Sequence, residues 1–134
     1  MKILALDYGS ARTGVAVSDP TATLARPLGV VERAASDAGL ARLAELAGSE
    51  GIDRIVVGLP VTLRGERGAQ ADETERFVAA LEAAVDVPVD TWDERFTTRL
   101  AAGSAAAGAR AEEDALAAAH LLTSYLEWLS ATRT

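Results

Sequence analysis

Lys2-Ile3-Leu4-Ala5-Leu6-Asp7-Tyr8-Gly9-Ser10-Ala11-Arg12-Thr13-Gly14-Val15-Ala16-Val17-Ser18-Asp19 opens with an apolar run that stops at a carboxylate. Two glycines and a turn follow, and a second apolar run spans Val15 to Val17. This pattern predicts a hairpin of two buried strands, with Asp7 at the end of the first. An acid among residues this apolar is costly unless a cation or hydrogen bonds hold it. The plain alternative is that Asp7 is a turn former at a strand end. The remaining residues decide between the two by whether they bring partners to Asp7.

The totals narrow the classes. A chain of 134 residues predicts one domain over 1–134, long enough for a sizeable core. Hydrophobic residues make up 49% and charged residues 25%, the balance of a globular protein in water. There are no cysteines, which excludes a disulfide framework, Cys-ligated zinc and a thiol nucleophile, and suits the cytoplasm. His120 is the single histidine; it rules out multi-histidine zinc sites and weakens a Ser–His–Asp reading. No signal-peptide pattern opens the sequence. The longest apolar stretch, Ala115 to Leu129, contains His120, Thr123, Ser124 and Glu127 and is too polar and too short to span a bilayer. A cytoplasmic protein without membrane contact is expected.

Net charge is −7, which opposes a purely electrostatic nucleic-acid binder. It does not oppose a nucleic-acid enzyme, because carboxylates gathered around bound cations are counted here without those cations. Lys2 is the one lysine beside twelve arginines. Arginine makes bidentate contacts to phosphate that lysine cannot, although an excess of Arg and Ala also fits a high-GC genome.

Beyond the hairpin, Leu24 to Val31 reads as a third strand, with Pro27 demoting its first half to an edge or bulge. Ser36 and Asp37 start a helix carrying Leu40, Leu43, Ala44 and Ala47, and Gly48 and Gly51 close it. Ile52 to Gly58 reads as a buried parallel strand. Leu59 to Gly68 is a loop with Pro60, Gly65 and Gly68. A second helix is expected from about Ala71 to Ala84, burying Phe77, Val78, Leu81 and Val85. Val87 to Glu94 is a strand ending in acids. Thr97 to Ala109 reads as a helix poor in large side chains. The last helix, about Ala111 to Leu129, sets Leu116, Ala119, Leu122, Leu126 and Leu129 on one side. The order β-β-β-α-β-α-β-α-α predicts an α/β fold, a mixed five-stranded sheet with helices on both faces.

Open α/β sheets place ligands outside the carboxyl ends of their strands. Asp7 ends the first strand and Glu94 the last. If those strands lie side by side in parallel, both acids reach one rim. Asp114 sits in the first turn of the last helix, just before its apolar face; acids also favour helix starts for dipole reasons alone. Three carboxylates without His or Cys are hard oxygen ligands that suit Mg²⁺ or Mn²⁺. Two such ions about 3.5–4 Å apart clamp the attacking water and the leaving oxygen of a phosphodiester.

At these residues the chain resembles a known family. Asp7-Tyr8-Gly9-Ser10-Ala11-Arg12-Thr13-Gly14 with Val15 to Asp19 is similar to the opening motif of the YqgF (RuvX) family of RNase H-like nucleases. Val56-Val57-Gly58-Leu59-Pro60 with Gly65 and Gly68 resembles its central motif. Trp92-Asp93-Glu94-Arg95-Phe96-Thr97-Thr98 resembles its Asp-Glu-Arg-x-x-Thr signature, and Asp114-Ala115-Leu116-Ala117-Ala118 its final Asp-x-x-Ala-Ala. The resemblance implies an RNase H-like fold and metal-dependent phosphodiester hydrolysis. Members are named as Holliday junction resolvases and as nucleases maturing the 16S ribosomal RNA precursor. It implies Asp7, Glu94 and Asp114 as the catalytic, metal-holding acids. It selects Glu94 over Asp93, since strand neighbours face opposite ways; Asp93 is then a structural acid paired with Arg95. Members carry several basic residues before the final Asp, whereas Gly103 to Glu113 offers only Arg110, so this segment is a weak candidate for nucleic-acid contact.

The expected mechanism is two-metal hydrolysis, with Asp7 bridging both ions and Glu94 and Asp114 completing their shells. Arg12, Arg64, Arg67, Arg95 and Thr98 are candidate phosphate contacts, each weighed against an ordinary solvated surface role. Trp92, Trp128 and His120 are expected mainly in packing, with base stacking by the tryptophans as the alternative. The partner is a four-way DNA junction or a precursor ribosomal RNA, and symmetric cleavage of a junction calls for a homodimer. Two rival readings stand beside this one. A non-catalytic nucleic-acid-binding module would use its acids structurally. An actin-like or sugar-kinase-type phosphate-binding domain would need a second such domain to close on its nucleotide.

Overall fold

The computed structural model describes residues 1–60, 68–97 and 110–132. Among them the strands are β1 (Ile3–Asp7), β2 (Arg12–Ser18), β3 (Ala25–Glu32), β4 (Arg54–Leu59) and β5 (Val89–Asp93). The helices are α1 (Asp37–Ser49), α2 (Ala69–Ala84) and α3 (Arg110–Thr132), and a short 3-10 turn, Glu94–Phe96, follows β5. The helix expected over Thr97 to Ala109 lies, beyond Thr97, outside the described residues.

One sheet runs in the order β3-β2-β1-β4-β5. β1 pairs antiparallel with β2 and parallel with β4, and β5 pairs parallel with β4. The last strand therefore does not lie beside the first, the condition on which the sequence brings Asp7 and Glu94 to one rim; β4 lies between them. The outer strand β3 carries the irregularity that Pro27 foreshadows. Ala16 faces Pro27 while Val15 faces Gly29, which leaves one extra residue on β3. Proline cannot donate to a ladder, so it is tolerated where the strand has a free side.

Alternation along the strands divides the core in two. Leu4, Leu6, Val15, Val17, Ile55 and Val57 pack under α1 and α2 with Leu43, Phe77 and Leu81. Ile3, Ala5, Ala16 and Val56 pack under α3 with Ala118, Leu121, Leu122 and Tyr125. Each fully buried large aliphatic or aromatic side chain contributes roughly 1.5–3 kcal/mol. α1 starts where Ser36 accepts the backbone N–H of Gly39 at 3.0 Å, an N-cap that satisfies one orphan donor. On α3 the buried side is Ala115, Ala118, Leu122 and Leu126, with Leu121 and Tyr125 beside it, and Leu116 is exposed. Leu116 falls outside the sheet's cover, against Pro27 and Leu28 at the β3 edge.

The turn from β2 to β3 is closed by Asp19. Its carboxylate accepts the backbone N–H groups of Thr23 at 2.8 Å and Leu24 at 2.9 Å, and the Thr21 hydroxyl donates to it as well. The bond from Leu24, then those from Thr21 and Thr23, pull the Asp19 pKa down to about 2. A depressed carboxylate stabilises the fold above its unfolded value of 3.8 and loses that contribution as pH falls toward about 2. The Asp19→Asn variant should therefore melt below the wild type at pH 5, and the gap should shrink between pH 4 and pH 2. Calorimetric melts of both proteins across that range check it.

Candidate active site

The rim at the carboxyl ends of β1, β4 and β5 is built by parity. Asp7 follows Ile3 and Ala5, which face α3, so its side chain leaves the sheet on the α3 face. Asp7 pairs in register with Gly14 of β2. On its other side Leu6 pairs with Val57, so Gly58 follows beside Asp7 on β4. Asp7 thus stands between two strand glycines.

Each glycine seats a second acid. A Cβ at Gly14 would stand 1.9 Å from the backbone carbonyl oxygen of Asp114, so α3 makes its close approach to β2 at this point. A Cβ at Gly58 would stand 2.7 Å from Glu94 Oε1 and 2.3 Å from Leu121 Cδ1. Glu94 therefore lies across β4, over Gly58, toward Asp7. Glu94 is the first residue of the 3-10 turn and not the last of the strand, which is Asp93. That turn lets its side chain reach inward over the neighbouring strand. A glycine inside a strand often marks such an approach, and positions 14 and 58 carry this signal in the sequence.

Asp93 faces away from this group and holds the turn. It accepts the backbone N–H of Arg95 at 2.9 Å and the Arg95 guanidinium at 3.0 Å from Nε and 2.6 Å from Nη2. The guanidinium bonds, followed by the backbone bond, lower the Asp93 pKa. This is the pairing that the alternation argument anticipated. It also engages Arg95, which the sequence reading offered as a phosphate contact.

The other candidate cation within the described residues is Arg12. Its Nε–H donates to Asp114 Oδ2 at 2.7 Å, across 102 residues of chain. Both side chains are about one-third exposed. Arg12 is thus bound to an acid of the site itself. Arg64, Arg67 and Thr98 lie outside the described residues. His120 is half-buried on α3, six residues past Asp114.

The hairpin turn that carries Asp7 is tied down on the opposite face. Tyr8 stacks on Phe77 with ring centroids 4.4 Å apart. The Tyr8 hydroxyl donates to Glu73 at 2.8 Å, and Ser10 donates to the same oxygen at 2.7 Å. Burial, together with that carboxylate, pushes the Tyr8 hydroxyl up to about 12. The two donors hold Glu73 below the usual carboxylate range, Ser10 foremost. These contacts fix β1's end relative to α2.

The donor set fits a hard divalent cation by its chemistry, being three carboxylates on one face of one rim. Among the described residues no three Asp, Glu or His side chains are grouped closely enough to hold one ion in this conformation. Asp114 Oδ2 is directed to Arg12 instead.

The fold and rim define a class. T. thermophilus RuvC in complex with a Holliday junction substrate aligns with a TM-score of 0.59 at 18% identity, covering 97% of each chain. A second T. thermophilus RuvC structure gives 0.55 at 20% identity, covering 96% of each. The architecture is therefore the RNase H-like fold of RuvC-type resolvases. The family model described as "RuvX: Holliday junction resolvase" matches residues 1–128. A relative from Rubrobacter xylanophilus is 45% identical over 131 residues, 94% of this chain and 92% of its own length. One from Chloroflexus aurantiacus is 40% identical over 131 residues, 93% and 86% of the two. Both carry provisional names as pre-16S rRNA nucleases. The chain belongs to the RuvX family, a family of nucleases.

Two outcomes follow from this geometry. Gly14→Ala forces backbone against backbone, so it should destabilise by about 1–3 kcal/mol or more in urea unfolding. Arg12→Gln removes the guanidinium that occupies Asp114. Since an exposed ion pair is worth ~0–1 kcal/mol, Mn²⁺ should bind up to about fivefold more tightly, as read by titration calorimetry.

Proposed function

We propose that this chain, acting as a single RNase H-like domain over residues 1–134, hydrolyses phosphodiester bonds of structured nucleic acid with Mg²⁺ or Mn²⁺, two ions serving the reaction. Asp7, Glu94 and Asp114 would hold the metal. The observation that carries this reading is the seating of Glu94 and Asp114 on the two glycines that flank Asp7. A bound divalent ion supplies positive charge to the scissile phosphate and an acidified water.

The chain's own residues supply position. β1 delivers Asp7 from a buried strand, and the Tyr8–Glu73–Ser10 contacts keep its hairpin from shifting. Arg12 neutralises Asp114 in the conformation described here and is placed to pass its guanidinium to a phosphate oxygen. Arg64, Arg67 and Thr98 remain proposed phosphate contacts. Arg95 serves first to fix the turn that presents Glu94. Among the described residues no helix is long and apolar enough to cross a membrane, in keeping with a cytoplasmic site of action. Symmetric cleavage of a four-way junction would engage a homodimer, whereas a ribosomal RNA precursor would not require one.

The test offers a four-way DNA junction, a matched linear duplex and a 16S ribosomal RNA precursor side by side, with Mg²⁺ or Mn²⁺. Cleavage of at least one structured substrate is expected. Asp7→Asn should lower that rate at least about a hundredfold, with the fold and much of the binding retained. An unchanged metal-dependent rate in Asp7→Asn would sink the reading.

A further inference from the structure

Along the outer side of β5, beneath the C-terminal half of α3, runs a cleft of about 960 Å³. Its walls include Trp92, Phe96, Tyr125 and Trp128. Trp92 is the hub, with ring centroids 5.9 Å from Phe96, 5.6 Å from Tyr125 and 5.8 Å from Trp128. Packing alone does not account for this cluster. Phe96 is 64% exposed and Trp128 49% exposed. Of the two uses the sequence leaves for Trp128, packing and base stacking, packing is incomplete: the ring meets Trp92 and Tyr125 but stays half exposed near the end of α3.

The cleft shares β5 and its following turn with the rim. Trp92 and Phe96 stand two residues before and two residues after Glu94. The Trp92 indole N–H is satisfied by Thr97 Oγ1 at 3.2 Å, so the ring is fixed. The β5 acids that line the cleft are paired, Asp90 with Arg54 and Asp93 with Arg95. The Arg95 guanidinium also lies 5.9 Å from the centre of the Phe96 ring.

We propose that this cleft is a nucleobase subsite, in which unpaired bases of the strand whose phosphate lies at the carboxylate rim stack on Phe96 and Trp128. The proposal rests on the nuclease reading and names the part of the substrate it favours. A chain of net charge −7 has little electrostatic affinity to spend on a phosphate backbone. Stacking needs no net positive charge, and every base has a π-face. A continuous duplex keeps its bases inside, whereas a loop, junction arm or frayed end can turn them out. The subsite therefore favours such substrates over plain duplex.

The test measures binding of the full chain to a labelled twelve-nucleotide single strand and to the same sequence as blunt duplex. No divalent metal is added, so nothing is cleaved. The wild type should bind the single strand more tightly. Phe96→Ala and Trp128→Ala should each weaken single-strand binding roughly 5- to 150-fold and leave duplex binding unchanged. Phe96→Leu and Trp128→Leu keep apolar bulk without the π-face and should lose as much, whereas Trp128→Phe should retain most of the affinity. The dependence on salt should stay shallow throughout. Wild-type affinity in the leucine variants, or equal losses on duplex, would overturn the proposal. So would a ring-dependent change of oligomeric state in sedimentation, which would assign the face to a second copy of the chain. Asp7→Asn separates the two readings: it should lose cleavage and keep the ring-dependent preference. If it cleaves normally, the assignment of the carboxylate rim as the cleavage site fails while the stacking result stands or falls by itself.

Discussion

α3 reaches β2 at Asp114, one turn in from its start at Arg110 and not in the first turn the sequence suggests, because position 14 carries no side chain; a Cβ there would lie 1.9 Å from the Asp114 carbonyl oxygen. Gly58 makes the matching concession on β4, where the Glu94 side chain lies over the strand. Between these two bare positions stands Asp7. The strand order β2-β1-β4 places it there, and alternation turns its carboxylate toward α3. The three acids therefore come from a strand, a helix start and a turn that are far apart in sequence, yet they share one face of one rim. A side chain at 14 would press on the backbone of α3 at Asp114, and one at 58 would displace the Glu94 and Leu121 side chains.

Gathering like charges has an electrostatic cost, and the structure shows how part of it is offset. Arg12 bonds Asp114 at 2.7 Å, and Asp93 is taken up by Arg95 on the other face. A pair about one-third exposed, such as Arg12–Asp114, contributes about 0–1 kcal/mol, which makes it easy to exchange for a stronger cation or for phosphate. On the far side of the sheet the Tyr8–Glu73–Ser10 contacts and the Tyr8–Phe77 stack hold the hairpin to α2. One face is thus fixed by burial and hydrogen bonds, while the other keeps its charged groups exchangeable.

Much of this was legible in the residues themselves. The hairpin, the Ser36 cap, the Pro27 irregularity and the Asp93–Arg95 pairing all follow from local rules of alternation, capping and donor loss. The position of β4 between β1 and β5 does not, because register between distant strands is set by tertiary packing. For the same reason the sequence brings Glu94 to the rim of Asp7 only on the condition that the last strand lies beside the first, whereas the structure seats Glu94 over Gly58 of the intervening β4. The exposure of Leu116 and Trp128 escapes the sequence for a related cause. Helical periodicity shows that they lie near an apolar stripe, but not that the sheet ends before covering them. Gly14 and Gly58 belong to sequence motifs, but what each makes room for comes from elements distant in the chain and shows only in the fold.

Asp7, Glu94 and Asp114 are proposed to form one cation site. Mn²⁺ binding followed by electron paramagnetic resonance, for the wild type and for Asp7→Asn, Glu94→Gln and Asp114→Asn, tests it most directly. The wild type should bind Mn²⁺ saturably at millimolar concentration or below, and each of the three substitutions should weaken that binding with the fold intact. Wild-type binding in all three variants, or no saturable binding by the folded wild type, would contradict it.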